Sequence, residues 1–177
     1  MNTRKRIALG FASLALASGG LGGGVAVAAG DGEAAAQQPT SGTSVTPNST
    51  DDGSQEAVAG TPGAGAFGSD DCISITGGEA CFQKYGDVMW VKDTLSDGYP
   101  ANGDYENYLW NGSSWQLYRF GDCVNHLTAG HWGYCNKDFY EDSTYPNAYG
   151  SKGSGIRLFV CGNGRCPDDY KWIRNDA

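Results

Sequence analysis

Six cysteines constrain this 177-residue chain more than any other feature: Cys72, Cys81, Cys123, Cys135, Cys161 and Cys166. An even number of thiols in a short stretch means either metal ligands or disulfides, and the compartment decides between them. The N-terminus speaks to the compartment. Arg4, Lys5 and Arg6 precede an uncharged Ala-, Leu- and Gly-rich run that reaches Ala26-Val27-Ala28, with Val27-Ala28-Ala29 one residue on. This is the pattern of a secretory signal peptide over residues 1–29. Its Leu-dense part, Ile7 to Leu16, is too short and too Gly-interrupted to span a bilayer. No cysteine precedes Cys72 and no apolar tail follows Cys166, so no membrane anchor is expected after cleavage. The expectation is a secreted, extracellular protein with three disulfides.

Residues 30–70 change in composition. They are Ala, Gly, Ser, Thr, Pro and Gln with six carboxylates, no Lys or Arg, and Phe67 as the one aromatic. Such a stretch offers little apolar surface to offset the entropy of ordering it, and it reads as a disordered acidic linker. The folded unit is then 71–177. It holds 14 acidic and 9 basic residues, a formal charge of −5. Nucleic acid is excluded as a partner, since phosphate binding needs clustered Lys and Arg.

Within 71–177 the pattern is that of short strands. Gly86–Thr94 carries the apolar run Val88 to Val91. "YENYLW" and "WQLYRF" flank Asn111-Gly112-Ser113-Ser114, a hairpin signal. In "GIRLFVC", Ile156, Leu158 and Val160 alternate with Arg157 and Phe159. No stretch sustains helical spacing. The expected fold is all-β, a small disulfide-stapled sandwich or barrel-like domain, and a monomer.

"VCGNGRC" offers a geometric argument. Asn163-Gly164 suits a type I′ turn, which sets Cys161 opposite Cys166 within bridging distance. Cys72 and Cys81 face each other if Thr76-Gly77 turns, although Thr suits a type I′ turn poorly. A rival scheme pairs Cys81 with Cys161 and Cys72 with Cys166. Cys123–Cys135 belongs to both schemes, and spacing alone does not choose between them.

"CVNHLTAGHWGYC" holds the chain's two histidines. Cys123, His126, His131 and Cys135 resemble the ligand spacing of a zinc knuckle, Cys-x2-Cys-x4-His-x4-Cys, with His126 in a Cys position and one residue fewer before Cys135. The export signal favours a Cys123–Cys135 disulfide, so neither metal nor cofactor is expected. Catalysis by His126 or His131 is a second reading. Glu106, His131 and Arg119 supply the residue types of small secreted ribonucleases, without a motif. Asp93, Asp97, Asp104 and Glu106, and the pair Glu141-Asp142, read as solvated turn carboxylates. Trp90 is assigned to the core. Trp110 and Trp115 bracket a hairpin and are placed to stack across it. Trp132 and Tyr134 are expected to be exposed on the cysteine loop, forming with His126 and His131 a candidate binding surface.

"ACF", "GDVMWVKDTLSDG", "WQLYRFGDC", "GHWGYCNKDFYE" and "AYGSKGSGIRLFVC" resemble segments of small secreted proteins of Streptomyces-like actinobacteria, over roughly half the chain. That group carries no functional residues over to this sequence. "LYRFGDC" and "HWGYCN" also resemble crystallin-like secreted peptidase inhibitors, whose aromatic-Gly signature is not intact here. The expected function is non-enzymatic binding of an extracellular protein or glycan, peptidase inhibition being one form of it. The alternative is a small secreted hydrolase using His126 or His131.

Overall fold

The computed structural model describes residues 49–176, so the signal peptide expected over residues 1–29, and residues 30–48 of the expected linker, lie outside the described residues. Ten strands follow in chain order: β1 (Thr50–Glu56), β2 (Val58–Ala59), β3 (Cys72–Ile75), β4 (Gly78–Gln83), β5 (Val88–Asp93), β6 (Ala101–Trp110), β7 (Trp115–Asn125), β8 (Trp132–Asn136), β9 (Ser154–Cys161) and β10 (Lys171–Arg174). Among the described residues the helical content is one 3-10 turn at Ser69–Asp71. The strands form two five-stranded sheets, β1-β7-β6-β9-β10 and β2-β8-β5-β4-β3. Every neighbouring pair is antiparallel except β1 on β7. The all-β expectation holds, as two stacked sheets.

Side-chain alternation builds the stack. On β6, Ala101, Gly103, Tyr105, Asn107 and Leu109 are buried and the residues between them are half-buried on the other face. On β9, Ile156, Leu158 and Val160 are buried and Arg157 and Phe159 face outward. Ala101, Tyr105, Ile156, Leu158 and Val160 meet Ala80, Phe82, Met89 and Val91 of the second sheet, with Phe139 and Ile173 closing the core. The sheets approach closely at Gly103, where a side chain would sit 2.8 Å from Val91 Cγ2. The 137–153 connection is irregular, as its Pro, Gly, Asn and Ser content implies. Asp87 fixes it. The Asp87 carboxylate is buried and accepts from Phe139 N at 3.0 Å and Asn175 Nδ2 at 2.9 Å. Burial, outweighing these bonds, holds the Asp87 carboxyl above its ordinary pKa.

The expected boundary at residue 71 is corrected. The folded unit starts at Thr50, because β1 and β2 lie inside the stretch read as linker. β1 runs parallel along β7, and β2 pairs with β8 in the other sheet. Residues 50–59 thus strap the two sheets together along one side. They do so without an apolar face, which is why the composition of 30–70 concealed them. Tyr105 donates to Asp52 Oδ2 at 2.6 Å, and Arg119 Nε lies 3.6 Å from the same oxygen.

All three disulfides are local in the chain: Cys72–Cys81, Cys123–Cys135 and Cys161–Cys166. The rival pairing of Cys72 and Cys81 with Cys166 and Cys161 is not formed. Asn163 and Gly164 have φ of 51° and 64°, and Gly162 and Arg165 exchange two backbone hydrogen bonds of 2.9 Å, as a type I′ hairpin requires. In the Thr76-Gly77 turn only Gly77 has positive φ, 93°. The turn is therefore of type II character, with Thr76 unstrained, and the reservation about Thr does not apply.

Candidate functional site

The Cys123–Cys135 bridge joins β7 of the first sheet to β8 of the second, with both sulfur-bearing residues fully buried. The loop between them, residues 126–131, is fixed at both ends by Asn125. This wholly buried side chain donates to Val91 O at 2.6 Å and to His131 O at 3.0 Å, and accepts from Leu127 N at 2.8 Å. Gly130 N donates to Asp93 O at 2.7 Å, and His131 N to Thr128 O at 3.1 Å. A loop with this many internal bonds presents its side chains in one arrangement.

Two open grooves flank it. One, of about 360 Å³, lies between the loop and Asp93, Ser96, Tyr99 and Pro100, and His126 lines it. The other, of about 320 Å³, lies between the loop and Ala59, Gly60 and Thr61, and is lined by His131 and Trp132. Leu127 and Thr128 form the ridge common to both. The strap therefore supplies one wall of the second groove.

Three of the four sequence candidates meet here. His126 is exposed, and its Nδ1 lies 2.9 Å from Glu56 Oε2 of β1. His131 is exposed, with Nδ1 3.0 Å from Thr128 O. Trp132 is half-buried, beneath the Lys92 ammonium at 4.4 Å and against Phe67 at 5.8 Å. Tyr134 lines neither groove. It is half-buried on the outer face of the second sheet, 5.2 Å from the Trp90 ring. The expected exposure of Trp132 and Tyr134 is therefore corrected, since both are half-buried. Tyr99, 55% exposed at the first groove, is the more open aromatic and was not singled out. Asn125, the positioning residue, was missed as well. The hint in the sequence is an Asn beside a cysteine at a strand end, too common a pattern to read.

The zinc arrangement does not form, because the two sulfurs are bonded to each other. Among the described residues no group of three or more His, Cys, Asp or Glu is placed to hold a metal ion. Glu106, Arg119 and His131 have different partners: Arg157 for Glu106, Asp52 and the Phe139 ring for Arg119, Thr128 for His131. Asp93 and Asp97 cap turns, accepting from Leu95 N and Tyr99 N at 2.9 Å each. Asp142 accepts from Ser154 N and pairs with Arg174, so it is structural as well.

Three disulfides accord with an oxidising, extracellular environment. Among the described residues no helix is long and apolar enough to cross a membrane. No family model, curated protein or solved structure matches the chain.

Proposed function

We propose that this is a secreted, non-enzymatic binding protein that takes an extracellular protein or glycan at the stapled loop. The observation that supports it is the covalent pinning of residues 126–131 between two open grooves. A ligand lying across the ridge of Leu127 and Thr128 meets His126 and Tyr99 on one side and His131 and Trp132 on the other. The loop is ordered before binding, so less entropy is lost on association. Peptidase inhibition fits the same surface, with the disulfide-bound loop as the part a protease would engage.

A glycan array and a protease panel, run with the wild type and with Trp132→Ala and His131→Ala, test this. A ligand lost about tenfold or more in affinity by either variant supports the reading. Silence in both screens, or a ligand indifferent to both substitutions, removes the loop as the site.

One observation favours a second reading. The Glu56 carboxylate beside His126 Nδ1 orients an imidazole as a general base would be oriented. In a small hydrolase of this kind, activity disappears in His126→Ala with the fold intact.

A further inference from the structure

Four of the five tryptophans are not buried. Trp90 alone falls below a tenth exposed. Trp110, Trp115 and Trp172 share one place, the outer face of the first sheet. Strand register puts them there. Trp172 of β10, Arg157 of β9, Glu106 of β6 and Phe120 of β7 form one cross-strand row. Arg174, Gly155, Tyr108 and Leu117 form the next. Trp110 pairs with Trp115 beyond it.

Two glycines make room for the rings. A side chain at Gly155 would stand 2.4 Å from Trp172 Cζ2, so the indole lies over the bare backbone of β9. A side chain at Gly153 would stand 2.5 Å from Trp110 Cβ. The rings are contiguous: Trp110 to Trp115 at 5.6 Å, Trp115 to Trp172 at 5.1 Å, Trp172 to Tyr108 at 6.0 Å. Arg157 lies between Tyr108 at 4.7 Å and Tyr170 at 4.8 Å, and Tyr170 contacts Phe159 at 5.7 Å. Trp172 is 36% exposed and Tyr170 48%.

Charge limits what such a surface can take. Arg157 is paired with Glu106, whose Oε2 also accepts from Tyr108 OH at 2.9 Å. Arg174 is held by both oxygens of Asp142 and lies over Trp115 at 4.9 Å. The two cations of the platform are thus matched by two carboxylates. The surrounding domain is acidic, which disfavours polyanions, and the platform's own acids are occupied, which leaves little for a basic peptide. An apolar, hydrogen-bonding, uncharged ligand is complementary. The C–H faces of pyranose rings stack on indole and phenol rings, and their hydroxyls bond to a polar network of the Arg157, Tyr108 and Glu106 kind.

We propose that the outer face of the first sheet is a binding platform for an uncharged polysaccharide, with Trp115 and Trp172 as its anchors. It lies apart from the stapled loop and does not depend on the function proposed there.

The test is retention of the full exported chain on insoluble cellulose, chitin and β-1,3-glucan, followed by titration with soluble oligosaccharides of the polymer that retains it. The double variant Trp115→Ala/Trp172→Ala is expected to lose about tenfold or more in affinity. Tyr85→Ala in the β4–β5 turn is expected to bind as the wild type does. Retention on none of the three polymers overturns the proposal, as does equal binding by the double variant or loss in Trp132→Ala alone. Sedimentation that shows a dimer dispersed by the double variant also overturns it, since the face is then covered by a second copy. Should the double variant fail to fold, emission spectra of the wild type and Trp132→Phe decide. An oligosaccharide-induced change that persists in Trp132→Phe supports the platform, and a change absent from either protein overturns it.

Discussion

β9 and β1 belong to the same sheet and are strands for opposite reasons. β9 buries Ile156, Leu158 and Val160 almost completely and turns Arg157 and Phe159 outward. β1 reads Thr-Asp-Asp-Gly-Ser-Gln-Glu, buries no side chain fully, and shifts register between Asp51 and Ser54. β9 is fixed by removing apolar surface from water, which any register slip would reverse. β1 is fixed by backbone pairing with β7 and by two carboxylates, Asp52 and Glu56, that reach named partners. A strand of the first kind is held by its own composition. One of the second kind is held by what it lands on. Truncating Leu158 to Ala is therefore expected to cost about 2–5 kcal/mol, measured by denaturant unfolding of the oxidised protein. A cost below that of the β1 contacts would reverse the ranking of the two strands.

The contrast explains what the sequence could show. Alternation over Gly155–Cys161, the Asn111-Gly112 turn and the Asn163-Gly164 hairpin are local patterns with local causes, and each appears in the structure where the pattern lies. The stacking of Trp110 on Trp115 follows from the hairpin in the same way. β1 and β2 are not local. Their partners are far along the chain, Arg119 to Val124 and Gly133 to Tyr134, and no periodicity in residues 50–59 announces them. The candidate site divides similarly. A disulfide loop bearing two histidines was legible. Its contact with Glu56, 70 residues away, and the second groove's wall of Ala59, Gly60 and Thr61 were not. The aromatic face needed the register of four strands, including the empty position at Gly155, before its rings could be placed together.

Tyr105 tests how firmly the strap is held. Its ring is in the core and its hydroxyl reaches past β7 to Asp52, at a point where a side chain on Gly121 would lie 2.9 Å from that oxygen. Tyr105→Phe keeps the ring and removes the bond, at an expected cost of about 1–2 kcal/mol near neutral pH. Burial first, then the Asp52 hydrogen bond and charge, push the phenol well above its ordinary value near 10. Above pH 10 the unfolded chain releases this proton and the folded one keeps it. The folded state then binds more protons, and stability falls as pH rises. The contribution is complete below pH 10 and lost above it, with a slope of up to about 1.4 kcal/mol per pH unit. Phe cannot titrate, so the wild type's advantage over Tyr105→Phe should shrink between pH 9 and 11. A difference constant across that range would mean the hydroxyl does not hold its proton against Asp52.

Glu56 pins the other end of β1, and its contact has the opposite character. The side chains of His126 and Glu56 are 58% and 73% exposed, so water and salt screen the pair. Glu56→Gln is expected to change global stability by less than about 0.5 kcal/mol, below the effect at Tyr105. The loop should also stay in place, because Asn125 and the Cys123–Cys135 bridge hold it independently of the strap. Amide hydrogen exchange separates the two ends of β1. Tyr105→Phe should raise exchange at Asp51 to Ser54, while Glu56→Gln leaves it unchanged. A larger cost from Glu56→Gln than from Tyr105→Phe would show that the strap is carried by its exposed end. The distinction between a strand fixed by burial and one fixed by a single buried anchor would then have to be redrawn around the histidine loop.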